Sequence, residues 1–349
     1  MRDRRPLCSL ALVPLFLLVA ATARNEPGAR IELIQAALRP FVEPTRGVVP
    51  EHVASTTSGY YLLDSANHRI LALDRSKKLE RQIGQIGQEK EAFYYPSELD
   101  VDPEGRLYVL DDSAKRVQVL RPDGKLLSDF VINGNLSGFA VTPTGHILLG
   151  DPQGGAIVAE FEATGRLIKR FGGLRHMSDF YGQSVSDMDR AHTYAANRVL
   201  LATDNADDVY VAFQNAPAIQ KYDSRRNLEF ERLIEGDQAR TVREGVTRTR
   251  TAPFRHGLVG DGTSGPFITN GLAVNKRSGT VYVSFQWDRS WIYVADTRGA
   301  GLAVLTGTDE PLRIHNISMD EERHVLLVPR FSMRGSIRTY EIELPRKLW

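Results

Sequence analysis

The sequence predicts an all-β protein, a six-bladed β-propeller built from four-stranded antiparallel blades. Three observations carry this. First, one pattern occurs twice: Tyr61-Leu62-Leu63-Asp64-Ser65-Ala66-Asn67-His68-Arg69-Ile70, and Tyr108-Val109-Leu110-Asp111-Asp112-Ser113-Ala114-Lys115-Arg116-Val117, 47 residues later. Second, the surrounding unit alternates short β-rich runs with turn residues, the pattern of hairpin-linked strands. Third, weaker copies continue along the chain. A strand-rich repeat of 40–50 residues means stacked supersecondary units, as in propeller blades.

The unit is clearest at residues 96–127. Leu99-Asp100-Val101 reads as a first strand. Asp102-Pro103-Glu104-Gly105 is a turn, with Pro presetting φ and Gly taking the left-handed position. Arg106 to Leu110 is a second strand. Asp111 to Lys115 is a second turn, where Asp and Ser side chains can cap backbone N–H groups. Val117 to Leu120 is the third strand. Arg121-Pro122-Asp123-Gly124 repeats the first turn, and Lys125-Leu126-Leu127 opens a fourth strand. Sliding this unit along the chain places second strands near residues 61, 108, 148, 210, 282 and 326. Closing the ring through a blade shared by N-terminal and C-terminal strands would remove the open sheet edges. The first strand of the first blade is expected between Gly47 and Val53.

The N-terminus has a different character. Arg2, Arg4 and Arg5 form a basic stretch, Leu7 to Ala21 is apolar, and Ala21-Thr22-Ala23 offers a small-residue cleavage site. This reads as a signal peptide over residues 1–23 and predicts a secreted or periplasmic protein. An uncleaved anchor is the alternative, and Arg4-Arg5 hints at a twin-arginine signal. Residues 24–46 are an N-terminal segment, and residues 47–349 are assigned to the propeller. No membrane span is expected after cleavage, and a monomer is expected. Cys8 is the only cysteine, so a processed chain has no disulfide and no thiol nucleophile. Removing a +2 leader from a chain of net charge +1 leaves about −1, which gives no support for a nucleic-acid partner.

Asp64-Ser65-Ala66-Asn67-His68-Arg69-Ile70, together with Pro96 to Leu127, resembles NHL repeats. That family carries an Asn-His pair in the turn between blade strands. Asn67-His68 matches it, while Ala114-Lys115 replaces the pair in the second copy. Length, leader and a diverged second half are similar to secreted bacterial TolB-like propellers. The resemblance implies a binding scaffold for a protein or glycan partner. Within the motif, Asp64, Asp111 and Asp151 are expected to cap turns, with Arg69 and Arg116 paired to those carboxylates or lying over neighbouring strands.

Two stretches interrupt the blade rhythm, at about 172–198 and 225–267. Long loops on a rigid scaffold often carry function. The second holds Arg240, Arg243, Arg248, Arg250 and Arg255, five arginines in sixteen residues, followed by His256. Such a set can hold carboxylate or phosphate groups, and a solvated charged loop is the alternative. Arg243, Arg248 and Arg250 are candidate binding residues.

Asn270 is a further candidate. In gluconolactonase-type propellers an Asn-Gly pair at the start of an inner strand supplies a metal ligand, and Asn270-Gly271 matches that dipeptide. No Glu-Gly-Pro entry or clear partner ligand accompanies it, so a turn role is the alternative. No cofactor is predicted. A metal-dependent propeller hydrolase or lyase with an axial divalent ion, gluconolactonase-like or amidating-lyase-like, is the alternative function. In the second case His68, His146, His256 and His315 would converge on the metal. No Gly-x-Ser-x-Gly elbow, His-Glu-x-x-His helix or phosphate-cradling loop occurs. No catalytic residue is assigned.

Overall fold

The computed structural model describes residues 31–41, 47–134, 136–181, 194–241, 243–244, 268–286, 290–307, 314–331 and 337–349. Two short strands come first, β1 (Glu32–Ala36) and β2 (Leu38–Pro40). Blade 1 is β3 (Pro50–Ser55), β4 (Gly59–Asp64), β5 (Arg69–Asp74) and β6 (Leu79–Ile83). Blade 2 is β7 (Pro96–Val101), β8 (Leu107–Asp111), β9 (Arg116–Leu120) and β10 (Leu126–Val131). Blade 3 is β11 (Ser137–Val141), β12 (Ile147–Gly150), β13 (Val158–Phe161) and β14 (Leu167–Phe171).

A short helix, α1 (Met177–Tyr181), precedes blade 4, which is β15 (Val199–Thr203), β16 (Val209–Phe213), β17 (Ala218–Tyr222) and β18 (Leu228–Leu233). Blade 5 contains β19 (Thr269–Val274), β20 (Val281–Gln286), β21 (Ser290–Ala295) and β22 (Gly301–Gly307). Blade 6 contains β23 (Ser318–Asp320), β24 (Val325–Phe331) and β25 (Ile337–Glu343). All six second strands span the positions expected from the repeat.

The turns explain why the repeat is written as it is. Gly105 follows Asp102-Pro103-Glu104 and has φ +78°, a left-handed conformation that a side chain would strain. At the second turn the left-handed residue is His68 in blade 1 (φ +56°) and Lys115 in blade 2 (φ +51°). The Asn-His pair is therefore turn geometry.

The motif carboxylates have a second task. Asp64 Oδ1 accepts the N–H of Val49, just before β3, and Asp111 accepts the N–H groups of Tyr94 and Tyr95, just before β7. Each carboxylate thus pins the end of its blade's second strand to the chain entering the first. Arg69 Nε donates to Asp64 at 2.9 Å. Arg116 stands 4.0 Å from Asp111 and gives its donors instead to the carbonyls of Gln88, Glu89 and Ala92. Asp151 caps its own turn through Gly154 N–H and pairs with Arg170.

Blades pack face to face, and six apolar clusters fill the six seams. Leu63 and Ile70 meet Leu99 and Val109 between blades 1 and 2. Val325 and Leu327 meet Leu62 and Leu71 between blades 6 and 1. Burying both faces of each blade is what removes these strands from water.

The N-terminal segment closes the ring. β2 pairs antiparallel with β25, Leu38 opposite Ile342, and so supplies the outer strand of blade 6. β1 adds a fifth strand to blade 5, parallel to β22. Phe41 N–H donates to Thr339 O at 2.9 Å, and Lys347 pairs with Glu32. Strands from Glu32 onward therefore belong to the blades, ahead of the boundary at residue 47 drawn from sequence. β18 likewise lies inside the stretch 225–267 read as an insertion. Among the described residues no helix is long and apolar enough to cross a membrane. The leader-like residues 1–23 lie outside the described residues.

Candidate functional site in the axial channel

The inner strands β3, β7, β11, β15, β19 and β23 pack side by side around the axis. They enclose a cavity of about 470 Å³. At its mouth stand residues of the first turns, including Thr56, Thr57, Lys276 and Glu321. Tyr61, Phe139 and Leu272 give the wall apolar surface, while Ser55, Ser318, Asp100 and His52 give it polar groups. Two mouth carboxylates are held by other side chains. Asp102 accepts from Arg106 and the Tyr108 hydroxyl, and Asp320 accepts from the Tyr60 hydroxyl and Arg75. Ser318 Oγ is buried with no hydrogen-bond partner among the described residues.

Four inner strands share an irregularity. Pairing shifts by one residue after Pro50, Pro96, Ser137 and Thr269. An extra residue in one strand re-aims the side chains beside it. In blades 1 and 2 the residues at and after this shift are Glu51 and His52, and Ser97 and Glu98. His52 Nε2 lies 3.6 Å from Glu98 Oε2, beyond hydrogen-bonding distance, and His52 Nδ1 is buried with no partner among the described residues. Their side chains keep 19% and 28% of their surface exposed. Asp100, two residues after Glu98, is held by the N–H groups of Val101 and Val141.

Protein crowds this pair from all sides, although water still reaches it. Burial pushes the Glu98 carboxyl up to about 8, and the like charges of Asp100 and Glu51 add to the rise. Burial pushes the His52 imidazole down to about 4, and His315 adds to that. Burial also raises Glu51 and lowers His315. At pH 7 the pair is therefore a mostly neutral carboxyl beside a neutral imidazole. Burial thus opposes the charged form of both groups.

The residues singled out from sequence are dispersed. Asn270 occupies the shifted position of β19. Its Nδ2 donates to Gln286 Oε1 at 2.7 Å and to the Ile314 carbonyl at 3.2 Å, joining blade 5 to blade 6. Gly271 is needed because a Cβ there would lie 2.7 Å from Ile317 N. Arg243 Nη1 donates to the Ile234 carbonyl at 2.7 Å. Arg248, Arg250 and His256 lie outside the described residues.

His68 sits in a blade 1 turn, His146 Nδ1 lies 2.9 Å from Glu160 Oε1 in blade 3, and His315 precedes β23. Among the described residues no three His, Asp or Glu side chains form a group able to hold a metal ion. Glu51, His52, Glu98 and Asp100 were not singled out from sequence. Aligning the two clearest copies on Asp64 and Asp111, with one residue skipped in the shorter first turn of blade 1, would have placed Pro50-Glu51-His52 beside Pro96-Ser97-Glu98 and shown titratable residues at matching inner positions.

No protein-family model matches the chain, and no curated protein matches it. Solved structures do. A streptogramin B lyase superposes with a TM-score of 0.51 at 12% identity, covering 89% of this chain and 87% of its own. The virginiamycin B lyase of Staphylococcus aureus gives 0.51 at 10% identity, over 84% and 80%. A Bacteroides fragilis protein described as a putative exported protein gives 0.57 at 9% identity, over 89% and 95%. At such identities the likeness is one of fold.

Proposed function

We propose that this chain is an exported binding module that takes a hydroxyl-rich ligand, a glycan, into its axial channel. The observation that carries this reading is the cavity of about 470 Å³, whose size suits a small ligand. Tyr61 and Phe139 can lie against the apolar faces of sugar rings, and Ser55 and Thr57 supply hydroxyl partners. The leader-like sequence of residues 1–23 supports export.

The test is calorimetric titration of the chain from Arg24 onward with maltotriose, cellotriose and chitotriose. Binding of one of these, lost when Thr57→Trp narrows the mouth, is the expected result. No heat from any neutral oligosaccharide, or binding unaffected by the Thr57 change, would overturn the reading. The alternative is a hydrolase or lyase with an axial divalent ion. Elemental analysis of the purified protein tests it: a stoichiometric, chelator-removable ion would favour that alternative over a simple binding module.

A further inference from the structure

We infer that Glu98 and His52 together grip a single hydroxyl group of the ligand, which bridges the two side chains. This rests on the glycan reading above and names the element that would read the sugar.

Glu98 and His52 form an unfilled pair. The one ion-pair contact of Glu98 among the described residues is His52 Nε2 at 3.6 Å, too long for a direct hydrogen bond. An oxygen placed beside the pair can stand about 2.8 Å from both atoms, within ordinary hydrogen-bond range. Both side chains keep exposed surface, and His52 also lines the cavity. A hydroxyl placed there would give Nε2 and the carboxyl a shared hydrogen-bond partner in place of water.

The chemistry of the bridging group follows from the neighbours. His52 faces Glu98 from β3, where the charge of Glu51 also lies near, Asp100 lies on its own strand, Tyr61 lies on β4, and His315 precedes β23. β11 presents no titratable side chain. Two further carboxyl groups beside the pair oppose an anionic ligand. A neutral carboxyl both donates and accepts, and an imidazole with no partner at Nδ1 can present Nε2 in either role. A hydroxyl is the small neutral group that donates once and accepts once. It completes the pair in either polarity.

The experiment is a protein–ligand cycle. The trisaccharide that binds, among maltotriose, cellotriose and chitotriose, is compared with its singly deoxygenated forms. These are titrated against wild type, Glu98→Leu, Glu98→Gln and His52→Leu. One deoxygenated form is expected to bind wild type about tenfold more weakly, in line with one lost hydrogen bond to a buried polar pair. The same form should bind Glu98→Leu and His52→Leu no more weakly than the parent sugar does. Glu98→Gln, which keeps a donor and an acceptor, should retain most of the wild-type discrimination. If every deoxy penalty persists in all variants, the inference fails while the glycan reading stands. If no trisaccharide binds wild type, the glycan reading fails with it. Circular dichroism of Glu98→Leu checks folding, and Glu98→Gln keeps the test decisive should that variant not fold.

Discussion

Replacing Glu98 by Gln should stabilise the protein at alkaline pH and leave it unchanged in mild acid. The wild-type carboxyl is raised from 4.5 in the unfolded chain to about 8 in the fold. Folding therefore takes up a proton between these values. The contribution of Glu98 to stability is intact below pH 4.5 and is lost as pH rises to about 8. Each tenfold change in proton affinity is worth ~1.36 kcal/mol, which sets a ceiling of ~5 kcal/mol on the loss. With 28% of the side chain still exposed, solvent relieves part of it, and ~2 kcal/mol is the reasonable figure. Gln has the same shape and no proton to lose. Differential scanning calorimetry of both proteins should then show equal melting temperatures near pH 4.5. At pH 9 the variant should melt ~4 °C higher, using ~2 °C per kcal/mol for a chain of this size. Equal melting at pH 9, or a variant that melts lower there, would refute the claim that Glu98 is held neutral by its surroundings. His52 has the opposite sign. Its imidazole is depressed from 6.5 to about 4, so its contribution is intact above 6.5 and lost as pH falls toward 4.

Three further expectations concern the scaffold. Asp111→Ala removes a fully buried carboxylate that accepts three backbone N–H groups, those of Tyr94, Tyr95 and Ala114; it should cost ~3 kcal/mol in urea unfolding, and a loss under ~1 kcal/mol would contradict the capping role. Arg226 holds Glu160 through bonds of 2.8 and 3.0 Å, both side chains only 3% exposed, so Arg226→Met alone should cost ~3–5 kcal/mol while Arg226→Met with Glu160→Leu recovers most of it. A double variant as unstable as the single one would show that charge burial is not the cause. Deleting residues 24–40 removes β1 and β2 and bares the edge of β25, so the shortened chain should melt lower and associate with rising concentration in size-exclusion chromatography, whereas deletion of 24–30 should do neither.

What the sequence disclosed followed from how local each constraint is. Turn chemistry is local, so Asp102-Pro103-Glu104-Gly105 and Asn67-His68 gave away hairpins and, by repetition, six blades. β18 escaped because Leu228-Glu229-Phe230-Glu231-Arg232-Leu233 is an outer strand with few buried positions and reads like a charged loop. β2 escaped because it is three residues long and ends in Pro40, a residue tolerated only at a sheet edge. The channel pair escaped for a different reason: His52 and Glu98 lie 46 residues apart and meet only when two blades close around the axis. Symmetry separates the two kinds of position. Asp64, Asp111 and Asp151 recur at one place in the blade and each caps a turn or strand entry, as a repeated scaffold requires. The first paired place after the inner-strand shift instead holds His52, Glu98, Phe139 and Gly271 in four blades. Packing fixes Gly271, where a Cβ would meet Ile317 N, and Phe139 fills a seam, but nothing in blade geometry demands His52 or Glu98 at this level. A ligand on the axis would meet each blade from a different side, which is why the proposed site is placed at this level of the channel.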